Sequence, residues 1–168
     1  METWRHGGNG DVQRWRNGVF NSDNPSSPTA FLPDDDEPAL LPFVAKMSDD
    51  LLEFAEKPRE VQILDERGKS LLAGDNERRF FEAAWVHKYN GKYYFSYSTG
   101  DTHFICYAIG DNPYGPFTYK GKILNPVVGW TSHHSICEFK GKWYLFYHDS
   151  SLSKGVTHLR SIKIAEIQ

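Results

Sequence analysis

At 168 residues and a formal charge of −3, with Lys and Arg scattered rather than gathered into a stripe, the chain excludes a surface built to grip phosphate backbones. No run of eighteen apolar residues is present to cross a bilayer as a helix, so neither nucleic acid nor a membrane is expected as a partner. Aromatic residues make up 15% of the sequence, enough to fill the cores of several small sheets or to stack on sugar rings, and composition alone does not choose between these uses.

Residues 1–20 carry Gly7, Gly8 and Gly10 and then Gln13 to Gly18, the pattern of a strand end, a turn and a second short strand closed by Asn17-Gly18. The opening Met1 to His6 has no apolar leader, the start of the parent protein is expected upstream, and localisation is left unassigned. From 21 to 38, four prolines and the run Asp34-Asp35-Asp36-Glu37 predict a solvated loop. Between 39 and 64, short apolar stretches (Phe43 to Ala45, Leu51-Leu52, Val61 to Leu64) alternate with turn residues and predict two or three strands. Asp65 to Gly68 turns the chain, and residues 71–81 form a polar loop running into Phe80-Phe81.

From there the chain repeats itself at an offset of fifty residues. Trp85 to Tyr97 aligns with Ser135 to Tyr147, four of the thirteen positions being identical and four more exchanging one bulky apolar group for another. Each copy is a hairpin, closed by Asn90-Gly91 or Lys140-Gly141, whose second strand is apolar on both faces. Such strands need cover on both sides, which in antiparallel sheets means sheet stacked on sheet. Each hairpin is followed by a second unit: Phe104 to Ala108 and Phe117 to Lys120 after the first, Thr157 to Arg160 and Ile162 to Ala165 after the second. No long helix is expected. A β-hairpin repeat of this period predicts propeller blades, too few here to close a ring. The expected organisation is one all-β partial propeller domain over 1–168: a blade end, loop and strands in 1–64, one blade in 65–128 and another in 129–168. Cys106 and Cys137 lie in apolar strand runs and are expected to be inert thiols.

Glu82 is the leading chemical candidate. Standing between Phe81 and Ala83-Ala84-Trp85, its carboxyl group is expected to be walled by apolar side chains, which disfavours the charged form and suits an acid. A strand-end Glu turned to solvent, or paired with Arg78 or Arg79, is the alternative.

The strings Phe80 to Trp85, Lys88 to Tyr94, Asp111 to Phe117 and Ser132-His133-His134-Ser135 together resemble the family-43 glycoside hydrolases over nearly the whole chain, which would be their C-terminal portion. That resemblance implies a five-bladed propeller, of which this chain supplies two to three blades, and inverting hydrolysis of terminal xylosyl or arabinofuranosyl linkages in hemicellulose such as xylan and arabinoxylan. It implies that Glu82 is the general acid, that His133 reaches the substrate or a central cation at the axis, and that Arg160 faces the sugar hydroxyls. Trp130, His103 and Asp101 are loop residues that could border the sugar, while His134 is expected to pack. A structural Ca2+ is allowed by the resemblance, with His133 as its candidate contact, although no D-x-D-x-D-G ligand loop is present and no cofactor is required. Inversion also needs a base, an Asp on a blade upstream of the matching part, and neither Asp11, Asp23 nor Asp34 to Asp36 is nominated for it. The expected partner is a pentose-containing oligosaccharide or polysaccharide, with self-association through open propeller edges. Two other readings stay open: a non-catalytic carbohydrate-binding or protein-interaction fragment, and an inactive remnant.

Overall fold

A computed structural model describes residues 15–16, 19–20, 33–130 and 132–167. The described residues are all β apart from one 3-10 turn, Gly100–Thr102. Two short strands, β1 (Trp15–Arg16) and β2 (Val19–Phe20), pair antiparallel, while the predicted Asn17-Gly18 turn lies outside the described residues. The acidic loop is described only from residue 33, and its earlier part lies outside the described residues. In the following stretch β3 (Phe43–Val44) pairs with β4 (Arg59–Glu60), and Leu51-Leu52, expected to be apolar strand, is instead an exposed bend. Ser48 and Asp50 explain it: the Ser48 hydroxyl donates to Asp50 while the Leu52 amide donates to the same carboxylate, an Asx-type turn that outcompetes strand pairing.

The first repeat builds a five-stranded sheet in the order β5-β9-β8-β7-β6. Here β5 is Ile63–Leu64, β6 Glu82–Tyr89, β7 Lys92–Ser98, β8 Ile105–Gly110 and β9 Phe117–Leu124. Strands β6 to β9 form an antiparallel meander, and β5 adds itself parallel to the outer strand β9. The second repeat builds β10 (His134–Phe139), β11 (Lys142–Asp149) and β12 (Ser161–Ile167), an antiparallel sheet of three strands among the described residues. Thr157 to Arg160, expected as extended structure, is a turn. The Ser153 hydroxyl sits 2.9 Å from the Leu159 carbonyl and Arg160 Nε donates to the Thr157 carbonyl, so side chains satisfy backbone oxygens that a strand would have offered to a neighbour.

Both hairpins turn through two left-handed residues, Asn90 and Gly91 (φ 46° and 78°) and Lys140 and Gly141 (52° and 78°), the combination that matches the twist of the flanking strands. One face of the first sheet buries Phe95, Tyr97, Cys106, Ala108, Phe117 and Tyr119 against Val61, Ile63, Leu71 and Phe80. The Phe95 ring lies 5.2 Å from Phe117 and 6.1 Å from Phe80. Ser96, on the opposite face, is buried towards the second sheet, where its hydroxyl meets His134 Nε2 at 2.6 Å. Both faces are thus covered, as the two-sided apolar pattern requires. Strands β6 and β10 are the sheet edges that meet, tied by Trp85 Nε1 donating to the Ile136 carbonyl at 3.0 Å.

Candidate active site

Glu82 is the first residue of β6, paired with Ser98 of β7, and the register breaks between Glu82 and Trp85. Ala83, within that irregularity, has a left-handed backbone (φ 59°) and is buried. A bulge of this kind adds a residue to one strand and re-aims the neighbouring side chain, a costly conformation for alanine that accumulates at sites where direction matters. Immediately before it, the Phe81 amide donates to the Ser98 carbonyl, and the Phe81 ring packs on Gly100 so tightly that a Cβ there would lie 2.6 Å from Phe81 Cγ. Gly100 (φ 77°) is therefore required both by its backbone and by the ring above it.

The Glu82 side chain is only 13% exposed, and its Oε1 lies 3.4 Å from His133 Nε2 of the second sheet's approach loop. The candidate acid and the candidate axial histidine, fifty-one positions apart, thus meet across the boundary between the two sheets. His133 and His134 diverge as expected of adjacent residues at a strand start: His133 faces Glu82, and His134 enters the space between the sheets. Burial, reinforced by His133 and His87, pushes the His134 imidazole down to about 3, so it is a neutral packing residue. Its Nδ1 is buried without a partner, as is Nδ1 of His87.

Sequence reasoning missed His148. It sits at the end of β11, where Nε2 accepts the His133 backbone N–H at 3.0 Å, and its ring stacks on His133 at 6.1 Å. The buried Ser132 hydroxyl donates to the His148 carbonyl at 2.8 Å. Burial, then the positive charge of Arg160 and the neighbouring His133, lower the His148 pKa below the ordinary histidine value. Arg160 itself, exposed in the turn before β12, brings Nη1 to 3.5 Å from His148 Nε2. The alternation Tyr144, Phe146, His148 along β11 was the available signal, because it marks a polar residue ending an otherwise apolar row.

Trp130 and His103 come together from two loops, with ring centres 5.4 Å apart. Trp130 is 60% exposed and follows Gly129, whose left-handed backbone passes so near Ser150 that a Cβ would lie 2.8 Å from its hydroxyl. Asp101 lies in the 3-10 turn beside His103. The alternative partners proposed for Glu82 have other attachments: Arg78 is held by Asp75 at 2.6 Å and by Glu66, and Arg79 bonds Asn76.

A separate cleft of about 440 Å3 opens between the sheets, lined by His87, Tyr89, Tyr94, Trp143 and others, and does not include Glu82. Of the Glu82–His133 pair, the Glu82 side chain is largely covered while that of His133 is 42% exposed. As a cation site the pair offers little, since no group of three His, Cys, Asp or Glu side chains suited to a metal occurs among the described residues. Calcium takes six to eight oxygens, waters included, and the carboxylate and imidazoles here would supply only a small part of that shell. Cys106 is buried, and burial raises its thiol to about 11, which keeps it inert; Cys137, expected to behave likewise, is exposed.

A Bacteroides ovatus xylosidase/arabinosidase is 64% identical over 159 residues, covering 95% of this chain and 47% of that protein. A Xylanibacter ruminicola β-xylosidase is 62% identical over 146 residues, covering 87% of this chain and 46% of its own length. A solved family-43 β-xylosidase/α-arabinofuranosidase from a compost metagenome, in complex with xylotriose and calcium-free, superposes with a TM-score of 0.85 at 61% identity, covering 97% of this chain and 49% of that one. This chain belongs to the family-43 glycoside hydrolases. No protein-family model matches it. It spans about half the length of the curated relatives it matches. Family-43 enzymes are five-bladed β-propellers, and the two sheets described above belong to such a ring.

Proposed function

We propose that the chain supplies the acid-bearing part of an inverting glycosidase that releases terminal xylosyl or arabinofuranosyl groups from hemicellulose. The observation that carries this reading is the meeting of Glu82, on a bulged strand edge, with His133 of the neighbouring sheet at 3.4 Å. Solved relatives bound to xylose and xylotriose, 55% identical to this chain, support a pentose-containing ligand. In this reading residues 65–128 and 129–168 are two successive blades. Glu82 protonates the leaving oxygen, His133 and Arg160 orient the sugar, and Trp130 with His103 forms an aromatic rim on which a further unit stacks.

Inversion needs a second carboxylate about 6.5–9.5 Å from the acid, with room for the attacking water. Asp34, Asp35 and Asp36 are exposed loop residues, Asp11 and Asp23 lie outside the described residues, and none is assigned as base. An acid without its base forfeits most of the rate, since such groups act as a unit. The 168-residue chain is therefore expected to release no measurable pentose from an aryl xyloside or arabinofuranoside. A chain extended to the length of its relatives is expected to do so. In that longer protein Glu82→Gln should lower kcat by roughly 10²–10⁴ while leaving xylotriose affinity within a few-fold. Undiminished turnover by Glu82→Gln would remove Glu82 from its role, and a lectin-like module would bind sugar with no turnover at any length.

A further inference from the structure

We propose that His148 is the positioning residue of the sugar-facing cluster, holding His133 through its backbone and steadying Arg160 from the same ring nitrogen. This rests on the reading of His133 and Arg160 as sugar-facing groups. Neither stands on a regular element: His133 immediately precedes β10, and Arg160 immediately precedes β12 in an exposed turn. Loop side chains hold a productive geometry only when something rigid fixes them. His148 belongs to β11, the central strand of its sheet, bonded on one side to β10 and on the other to β12, where its own partner is Ile162.

From that anchor the ring reaches both loops. Nε2 accepts the His133 N–H at 3.0 Å and lies 3.5 Å from Arg160 Nη1, while the imidazole face covers the His133 ring. The backbone of His148 is itself locked, because buried Ser132 donates its hydroxyl to the His148 carbonyl and lies 3.3 Å from the His148 N–H. The Ser132-His133 segment is thus clamped from both ends of one residue. Because the amide hydrogen points at Nε2, that nitrogen bears no proton, and the ring is the Nδ1–H tautomer. The His133 ring, carried on the backbone that His148 holds, meets Glu82 Oε1 through its own Nε2, so a shift of the His133 backbone moves the group that contacts the acid.

The test uses the isotope-labelled 168-residue chain. Long-range proton–nitrogen correlation should show His148 as the Nδ1–H tautomer. His148→Gln presents a carbonyl oxygen where Nε2 was, so the His133 amide should keep its hydrogen-bonded shift and xylotriose affinity should stay within about twofold. His148→Leu removes the acceptor: the His133 amide should move upfield and affinity should fall about tenfold, the cost of one lost hydrogen bond. A Nε2–H tautomer, or a His133 amide indifferent to Leu, would overturn the proposal. If the Leu variant does not fold, the tautomer and the Gln variant decide alone. A chain with the expected tautomer and amide shifts that binds no xylotriose would keep the hydrogen bond but sink the sugar-site reading, and with it the positioning role.

Discussion

Single residues show how a local cost is accepted where direction matters. Gly100 is the clearest case, since its backbone is left-handed and Phe81 leaves no space for a methyl group. Gly100→Ala is expected to destabilise the chain by about 2–4 kcal/mol, combining the left-handed penalty with displacement of Phe81 from the start of β6. Chemical denaturation measures this, and a change below half a unit would show that the ring yields freely. Tyr97 offers a second test: its buried hydroxyl donates to the Arg78 carbonyl, and burial raises its pKa well above the usual tyrosine value. Tyr97→Phe should cost about 1–2 kcal/mol, because it strands a carbonyl without changing ring packing. Glu82 was readable in the sequence as a polar residue in an apolar run. Its facing partner was not, because fifty-one positions separate it from His133 and only the packing of two sheets brings them together.

Among elements, the two hairpins form one experiment repeated by nature. Both use the same turn, yet Asn90 occupies the left-handed first position in one and Lys140 in the other. Asparagine tolerates that conformation better than lysine, so Lys140→Asn should raise stability by about 0.5–1 kcal/mol, read as a higher denaturation midpoint with an unchanged slope. The two repeat hairpins and the long strands β6 to β9 were legible because their signals are local: Asn-Gly pairs, alternation and breakers. Leu51-Leu52 and Thr157 to Arg160 misled for one shared reason. Serine and aspartate side chains nearby take over backbone hydrogen bonding, and an apolar stretch then bends instead of pairing. Likewise β5 joins β9 in parallel, a long-range choice that two residues of sequence do not encode.

At the scale of the whole molecule, the interface between the two sheets carries two imidazoles that burial keeps neutral. His134 is pushed down to about 3 and His87 is lowered in the same direction by burial. A histidine whose folded pKa lies below its unfolded value of about 6.5 binds protons more readily once the chain opens. Its contribution is therefore complete above about pH 6.5 and is lost progressively as pH falls towards 3. Urea midpoints at pH 7.5 and pH 5 should show the loss, and His134→Gln should flatten it; equal midpoints for the wild-type chain would refute the interface account. The second sheet also exposes Ile162 and Ile164 on β12 and Phe139 on β10, apolar surface that ring closure or another copy would cover. Sedimentation at rising concentration is expected to show association of the 168-residue chain, and a clean monomer at high concentration would count against it.

By itself the sequence determined the all-β class, the two hairpin units and their turns, since each depends on side chains within a few positions of one another. It also carried four family motifs dense enough to identify the glycosidase family before any coordinates. Tertiary structure alone decided that Glu82 meets His133, that His148 underlies both His133 and Arg160, and that the second sheet ends with three strands among the described residues. These depend on which edges of which sheets come to lie together, and the energy of that choice resides in contacts between residues that the chain itself keeps far apart.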